Sequence, residues 1–223
     1  MTQKIENKSL RDYIYEQILD LIDQGILHVG QKINKNELGK RFGVSQTPIN
    51  DALNKLVGER YIEVQPRKGY FVREFGTDEF CQLFEMRAGL EGIAARLCCE
   101  NASEEELNRL VTAFDDFTLP VDEEEMKRYY DVDRWFHEKI VQYSANAFIY
   151  DALKTTGFQS RSYQKGLVRG PEITLPEHMM IIDALRERDG ERAERMTILH
   201  LLNSRDVFKF RMNQRHNGEP DEP

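Results

Sequence analysis

Histidines are the residues of this chain best suited to metal chemistry. The five are His28, His137, His178, His200 and His216. Asp133 and His137 stand four residues apart in the segment D-R-W-F-H, so they share one face if that segment is helical. His178 and His200 fall in the last two predicted helices, and three imidazoles with one carboxylate suit zinc, nickel, iron or manganese. The spacing leaves open a solvated surface pair at Asp133 and His137, and we interpret the two remaining histidines as surface residues.

Polar residues suited to reading DNA cluster near residue 46. The N-terminal residues of a recognition helix lie at the base edges of the major groove. The residues in that position are Ser45, Gln46, Thr47 and Asn50. Asparagine and glutamine can bond adenine through N6 and N7, and Thr47 can bond a phosphate or touch a thymine methyl group. Candidate phosphate contacts are Lys40, Arg41 and Lys55. Arg67 and Lys68 at the tip of the wing could reach the backbone or the minor groove, with Gly69 permitting a close approach.

The predicted elements that would position the candidate DNA-reading residues follow the order helix, helix, helix, β-hairpin. Ser9 can cap a first helix, E-L-G-K-R-F forms a second that Gly43 stops, and Ser45 caps a third that runs to about Val57. Two short strand signals, Y-I-E-V and Y-F-V-R, flank the turn Q-P-R-K-G. The alternative interpretation is that Ser45 and Pro48 only begin a capped third helix that has no role in DNA binding. The complete order favours a winged helix-turn-helix.

The remaining chain shows helical patterns and no strand signal from about Asp78 onward. The patterns cover roughly 78–100, 103–117, 122–144, 146–159, 174–189 and 191–213. Breaks are expected at Leu119-Pro120, Gly157, Gly170-Pro171 and Pro176. We therefore predict a mostly α protein: a winged helix-turn-helix over 1–75, an all-helical domain over 76–214, and a disordered tail over 215–223.

Charge and composition support this division. The chain has a net charge of −8, yet residues 1–73 carry a net +3 and residues 74–223 a net −11. A basic N-terminal part on an acidic body is expected when only the first part meets phosphates. The sequence has no apolar run long enough for a membrane span and no signal-peptide pattern, and its three cysteines form no C-x-x-C pair. These features predict a cytoplasmic protein without membrane partners.

Residues 9–73 resemble the DNA-binding domain of the GntR family. The resemblance lies in Q-K-I-N-K-N-E-L-G-K-R-F-G-V-S-Q-T-P-I-N-D-A-L-N-K-L and Q-P-R-K-G-Y-F-V. The usual family segment, S-R-T-P-V-R-E-A-L, has arginines where this chain has Gln46 and Asn50. In the family those arginines commonly read guanine, so the resemblance implies DNA binding at an operator of different sequence.

Residues 78–213 resemble the FCD sensor domain of the FadR subfamily, which implies that the domain over 76–214 is an antiparallel helical bundle that senses a ligand. The matching segments are E-M-R-A-G-L-E-G-I-A-A-R-L, D-R-W-F-H-E-K-I-V-Q-Y-S-A-N, L-P-E-H-M-M-I-I-D-A-L and R-D-G-E-R-A-E-R-M-T-I-L-H. The resemblance implies that Asp133, His137, His178 and His200 bind one divalent metal, zinc first, with nickel, iron or manganese as alternatives. The last segment departs from the usual A-M-R-x-H. Arg87 occupies the position of a family arginine that could contact a carboxylate effector, and a salt bridge with Glu91 is the equal alternative.

Together these resemblances imply a transcription regulator, most often a repressor, that is released from DNA by a small organic carboxylate bound at a metal. It would act as a homodimer on an inverted-repeat operator of double-stranded DNA. One alternative is a regulator that senses an acyl-CoA or another ligand without metal, and another is an effector-free architectural protein. A metal-dependent hydrolase is the remote alternative: Val141 breaks the zincin motif that His137-Glu138 suggests, so we predict no catalytic residues.

Overall fold

The computed structural model describes residues 9–74, 76–155 and 169–217. Helices dominate these ranges, and their two strands form one antiparallel hairpin, which confirms the expected fold class. The chain divides into two compact units; the described residues 9–74 belong to the first, and 76–154 with 169–217 belong to the second. None of the described helices is both long and apolar enough to cross a membrane.

The first unit contains three helices followed by the hairpin. The elements are α1 (Leu10–Asp23), α2 (Lys35–Phe42), α3 (Gln46–Gly58), β1 (Ile62–Gln65) and β2 (Gly69–Val72). The Ser9 hydroxyl accepts a hydrogen bond from the Asp12 amide at 3.2 Å, so the predicted cap of α1 is confirmed. Gly43 ends α2 in the left-handed conformation with φ 67°, which a glycine adopts without strain.

Apolar residues spaced by a helical turn form the core of the first unit. Ile14 and Ile18 of α1 and Ile49, Leu53 and Leu56 of α3 have no solvent exposure. Because these residues repeat every three or four positions, each helix buries one stripe against the other. This packing holds the N-terminal turn of α3 in place without using its polar residues.

The segment before α2 pairs with the hairpin, where the sequence had indicated only a loop. The Gly30 amide donates to the Val72 carbonyl and the Ile33 amide donates to the Tyr70 carbonyl, both at 2.9 Å. A short segment of this kind carries too few residues to show a strand periodicity. The pairing sets the start of α2 beside strand β2.

The second unit is built from six described helices. These are α4 (Thr77–Asn101), α5 (Glu104–Val111), α6 (Glu123–Tyr143), α7 (Ala147–Thr155), α8 (Pro171–Arg186) and α9 (Gly190–Asn217). The capping box of Ser103 and Glu106 is confirmed at α5. Asn146 caps α7 as expected, because its Oδ1 accepts from the Ile149 amide at 3.1 Å.

Helices α5 and α8 differ from their expected bounds. Helix α5 ends at Val111 instead of 117, and the turns that follow it still bury Phe114 and Phe117. The expected break at Pro176 is wrong: α8 begins at Pro171 and continues through Pro176. A proline removes one backbone donor, and the buried neighbours of α8 outweigh that loss.

The last helix, α9, extends to Asn217, beyond the expected boundary at 214. The remainder of the expected tail and residues 156–159 of an expected helix, with Gly157, lie outside the described residues.

Close approach of two long helices organises the second unit. A Cβ atom placed on Gly92 of α4 would lie 2.6 Å from Ile198 Cγ1 of α9, so a larger residue would force the Ile198 side chain to move. Tyr129 and Phe136 of α6 and Ile181 of α8 are fully buried in the same unit. Polar side chains that point into this core need partners inside it, because no water reaches them.

Candidate metal centre and nucleic-acid interface

The four expected metal ligands meet inside the second unit. Asp133 and His137 lie one turn apart on α6, His178 lies on α8 and His200 on α9, and each is at most 5% exposed. The ligand nitrogens of the three histidines lie within 4.8 Å of one another. Carboxylate oxygens of Asp133 lie 3.9 Å from His137 Nε2 and 3.5 Å from His178 Nε2. The structure therefore brings the predicted set together.

Each of the three imidazoles has a hydrogen-bond partner for its Nδ1 atom. The pairs are His137 with Glu91 Oε2 at 2.8 Å, His200 with Glu177 Oε2 at 2.8 Å, and His178 with the Tyr129 hydroxyl at 3.1 Å. A carboxylate only accepts, so it fixes the ring proton on Nδ1 and leaves the lone pair on Nε2. This arrangement of outer carboxylates behind histidines is characteristic of metal sites in proteins.

The Nε2 atom of His178 tests whether a metal fits. It is fully buried and makes no hydrogen bond with any residue in the described ranges. A buried polar atom without a partner destabilises the fold unless a ligand satisfies it. The donor set of three imidazoles and one carboxylate fits zinc, nickel, iron or manganese. A bound ion would supply positive charge and positions at which oxygen atoms of an anion can bind.

The surroundings of two histidines keep them in the metal-binding form. Burial, with the nearby His200 and His137, lowers the pKa of His178 well below its usual value. Burial also lowers the pKa of His200, although its hydrogen bond with Glu177 acts in the opposite direction. Neutral imidazoles are required for ligation, so both side chains are ready to bind a cation.

Arg87, the predicted effector contact, forms a buried ion pair with Glu91. Its Nη2 atom donates to Glu91 Oε2 at 3.0 Å, its Nε atom contacts Oε1, and both side chains are at most 3% exposed. Burial raises the pKa of Glu91, but Arg87 and His137 together lower it to about 2. The structure thus contains the salt bridge of the alternative interpretation, and an effector contact by Arg87 stays a prediction.

A second buried arginine supports the other side of the centre. Arg169 donates to Glu177 Oε1 at 2.6 Å, to the His200 carbonyl at 2.8 Å and to Ser204 Oγ at 3.1 Å. Burial raises the pKa of Glu177, while its bonds with His200 and Arg169 lower it to about 2. Each outer carboxylate is therefore charged and held between an arginine and a histidine.

Sequence reasoning missed most of these outer residues. Glu177 directly precedes His178, and Tyr129 lies one helical turn before Asp133, so their places next to ligands were visible as local signals. Arg169 offered no such signal, because its partners lie on α8 and α9. Buried partners of ligands are identified only when the helices that carry them are packed.

The predicted DNA-reading residues lie at the start of α3. Ser45 occupies the N-cap position but makes no side-chain capping bond, so the expected cap is present in backbone geometry only. Ser45, Gln46 and Thr47 are exposed, and Asn50 is half-buried one turn later. Exposed donors and acceptors at a helix N-terminus can meet base edges or phosphates.

The predicted backbone contacts are mostly exposed. Lys40, Arg41, Arg67 and Lys68 are exposed, and Gly69 is half-buried. Arg67 and Gly69 adopt positive φ values of 63° and 106°, which turn the hairpin tightly at its tip. Lys55, in contrast, pairs with Asp12 at 3.4 Å and lies 4.0 Å from the centre of the Tyr15 ring. Lys55 is half-buried, and a phosphate contact by this residue stays a prediction.

Comparison with known families divides the chain in the same way. Residues 10–72 match the family of bacterial regulatory proteins called the gntR family, and residues 82–203 match the FCD domain. The chain is 25% identical over 195 residues to the HTH-type transcriptional repressor RspR of Escherichia coli, covering 84% of this chain and 86% of that protein. It is 28% identical to the Nta operon transcriptional regulator of Aminobacter aminovorans, covering 77% and 81% respectively.

Among solved structures, E. coli McbR/YncC is similar in fold, with a TM-score of 0.73 and 19% sequence identity. The match covers 94% of this chain and 99% of that one.

Proposed function

The chain belongs to the gntR family of bacterial regulatory proteins with an FCD domain, and from that premise we propose that it is a metal-dependent repressor released by a small carboxylate. It is a DNA-binding transcription regulator, and relatives are named repressors. The family and these relatives are regulators and not enzymes, which argues against the hydrolase alternative. We retain the expectation of a cytoplasmic protein.

The convergence of three imidazoles on one buried point carries the metal proposal. Each ring is oriented from outside by a hydrogen bond to its Nδ1, and the Nε2 of His178 has no hydrogen-bond partner among the described residues. Histidines that served only to fill the core would have no reason to be oriented toward one another and toward Asp133. A divalent cation, zinc first, accounts for this orientation.

A small carboxylate is the effector that this centre favours. An anion buried in a protein is costly unless charge and hydrogen bonds compensate it, and a metal ion provides the charge locally. The arginines nearest the centre are already paired with carboxylates, Arg87 with Glu91 and Arg169 with Glu177. The cation would therefore be the main attraction for the effector, and Arg87 could assist only by sharing its guanidinium with Glu91.

We further propose that the regulator binds an inverted-repeat operator as a homodimer. One recognition helix contacts only a few base pairs, which is too little specificity against a genome. Two-fold symmetry doubles the number of bases read and predicts a palindromic site. Sedimentation at micromolar concentration, with titration of a palindrome and a half-site, tests this. A monomer that binds both equally would contradict it.

The test of the proposed function combines metal content with operator binding. Protein purified without chelator is analysed for metals as wild type, as His178→Ala and as His28→Ala, a matched control at an exposed histidine of the first unit. We expect about one metal per chain in the wild type and the control and little in His178→Ala. A panel of small carboxylates should then weaken operator binding by the wild type about 5–150-fold.

The outcomes separate the parts of the proposal. Absence of metal from all three proteins would contradict the site. If His178→Ala loses the metal but responds to the effector like the wild type, the metal has no role in sensing. That outcome would favour the regulator that senses its ligand without metal. Operator binding that no carboxylate or acyl-CoA alters would favour the architectural alternative.

A further inference from the structure

Lys35, the first residue of α2, connects the two side chains expected to read bases. Its Nζ atom donates to Asn50 Oδ1 at 3.1 Å, and its backbone carbonyl accepts from Gln46 Nε2 at 3.3 Å. The three residues are separated by 11 and 15 positions in the chain and meet because α2 packs against α3. The sequence pattern by itself does not mark Lys35 as a base-reading residue.

The bond between Lys35 and Asn50 determines which way the amide faces. A lysine ammonium has three donors and no acceptor, so the amide atom that faces it must be the oxygen. The other end of the amide, Nδ2, finds no hydrogen-bond partner among the described residues. Asn50 therefore presents its Nδ2 donor, and one of the two lone pairs of its Oδ1 is occupied by a cation.

The charge of Lys35 is not neutralised by the protein. Among the described residues it forms no salt bridge, and its ammonium lies 5.6 Å from the centre of the Tyr70 ring in strand β2. It lines a groove of about 620 Å³ between the start of α2 and the hairpin, together with Lys32 and Lys68. None of the described residues lining this groove is acidic. Its basic lining therefore attracts a polyanion such as DNA.

We propose that Lys35 and Asn50 act as one donor-only unit that reads guanine. Guanine presents two neighbouring acceptors, N7 and O6, in the major groove, whereas adenine presents one acceptor beside an amino donor. The N6 amino hydrogens of adenine carry partial positive charge. Near Asn50 they would approach an oxygen that already binds the Lys35 ammonium, and the ammonium would repel them. This inference rests on the proposed DNA-binding function and replaces our expectation that Asn50 bonds adenine through both N6 and N7.

Lys32 provides the matched control for Lys35. It lines the same groove and carries the same charge, but its side chain has no bond with Asn50 or Gln46. Lys32→Met therefore removes a positive charge without changing what Asn50 presents. Lys35→Met removes the same charge and frees the Asn50 oxygen as well.

The experiment selects operators from a random double-stranded DNA library with the full-length protein, then measures affinity for matched operators with guanine or adenine at each selected position. The wild type should prefer guanine at the position sensitive to Asn50→Ala by about tenfold or more. Lys35→Met should reduce this ratio below about threefold, and Lys35→Arg, which keeps the donors, should retain it. Lys32→Met should weaken binding to both operators alike.

Two further variants keep the test decisive if Lys35→Met folds poorly. Asn50→Asp keeps an acceptor for Lys35 but replaces the outward donor, so the preference should move from guanine to cytosine, whose N4 is a donor. In an Asn50→Ala background, Lys35→Met should no longer change base preference.

An unchanged guanine-to-adenine ratio in Lys35→Met, or a wild type that prefers adenine at this position, would overturn the inference while leaving DNA binding intact. Selection of no sequence at all would overturn the proposed function itself.

Discussion

The polar side chains at the start of α3 in the first unit are exposed, whereas those of the candidate metal centre in the second unit are buried and hydrogen-bonded. At the start of α3, Ser45, Gln46 and Thr47 are exposed, and most of their hydrogen-bonding capacity faces solvent. In the second unit, His137 and His178 are almost fully buried, and each is oriented by a specific partner. Exposed groups can adapt to a partner that arrives later, whereas buried groups must be placed correctly by folding.

This difference indicates where a substitution should have its effect. A change at the surface of α3 should alter binding and leave the free energy of unfolding unchanged, because no buried contact is lost. A change near the buried histidines should alter both metal content and stability, because each polar group there satisfies another. Four measurements test this comparison.

The largest effect is expected at the buried ion pair. Glu91→Gln should lower the free energy of unfolding by about 3–5 kcal/mol, because Arg87 loses its carboxylate inside the core. Urea denaturation measures this change. The control is Glu105→Gln, since Glu105 and Arg109 form a pair with the same four-residue spacing at the surface. If both variants unfold at the same urea concentration, burial does not distinguish the pairs.

Removal of metal should have the next largest effect. A ligand present at 100 times its dissociation constant stabilises the native state by about 2.7 kcal/mol, so a chelator should lower the melting temperature of the wild type. Added zinc should restore it. In calorimetry, neither the chelator nor zinc should change the melting temperature of His178→Ala. If the chelator lowers the melting temperature of this variant as much as that of the wild type, the metal binds at another site.

Asn50→Ala should affect binding without affecting folding. We expect a loss of about 1–3 kcal/mol on the selected operator and relaxed preference at one base pair. The melting temperature should fall only slightly, because the bond lost, from Lys35 Nζ, is partly exposed, and Asn108→Ala at an exposed position of α5 should leave it unchanged. Fluorescence anisotropy with single-base operator variants measures the loss, and a uniform loss across all sequences would contradict base reading.

Arg67→Ala should give the smallest effect. The exposed arginine at the hairpin tip is expected to contact a phosphate, so its loss should weaken all DNA sequences similarly. The slope of log affinity against log salt should fall by about 0.9 per protomer. Arg134→Ala, at an arginine of α6 in the second unit, should leave the slope unchanged. A sequence-dependent loss in Arg67→Ala would instead indicate base reading by the wing.

Local patterns predicted much of the architecture. The capping box at Ser103 and Glu106, the stop at Gly43 and the turn before Gly69 each depend on residues within one helical turn or one hairpin. The shared face of Asp133 and His137 follows from the same short range. These features were predicted correctly because their physical causes act between near neighbours along the chain.

The errors occurred where packing outweighs local preference. Pro176 favours a break, yet α8 continues through it because His178 and Ile181 beyond the proline are fully buried. Phe114 and Phe117 continue the apolar spacing of α5, yet both are buried from the turns that follow the end of the helix at Val111.

The sequence by itself determined the residue types at both sites: the polar residues that begin α3, and three histidines with one aspartate on predicted helices. Tertiary structure alone decided that His178 and His200 join Asp133 and His137. It also decided that Glu91 orients the ring of His137, that Glu177 orients the ring of His200, and that Lys35 bonds Asn50. These partners lie on different helices, up to 67 positions apart between Asp133 and His200. The sequence shows which groups a helix carries on one face, but only the packing of helices determines which groups that face meets.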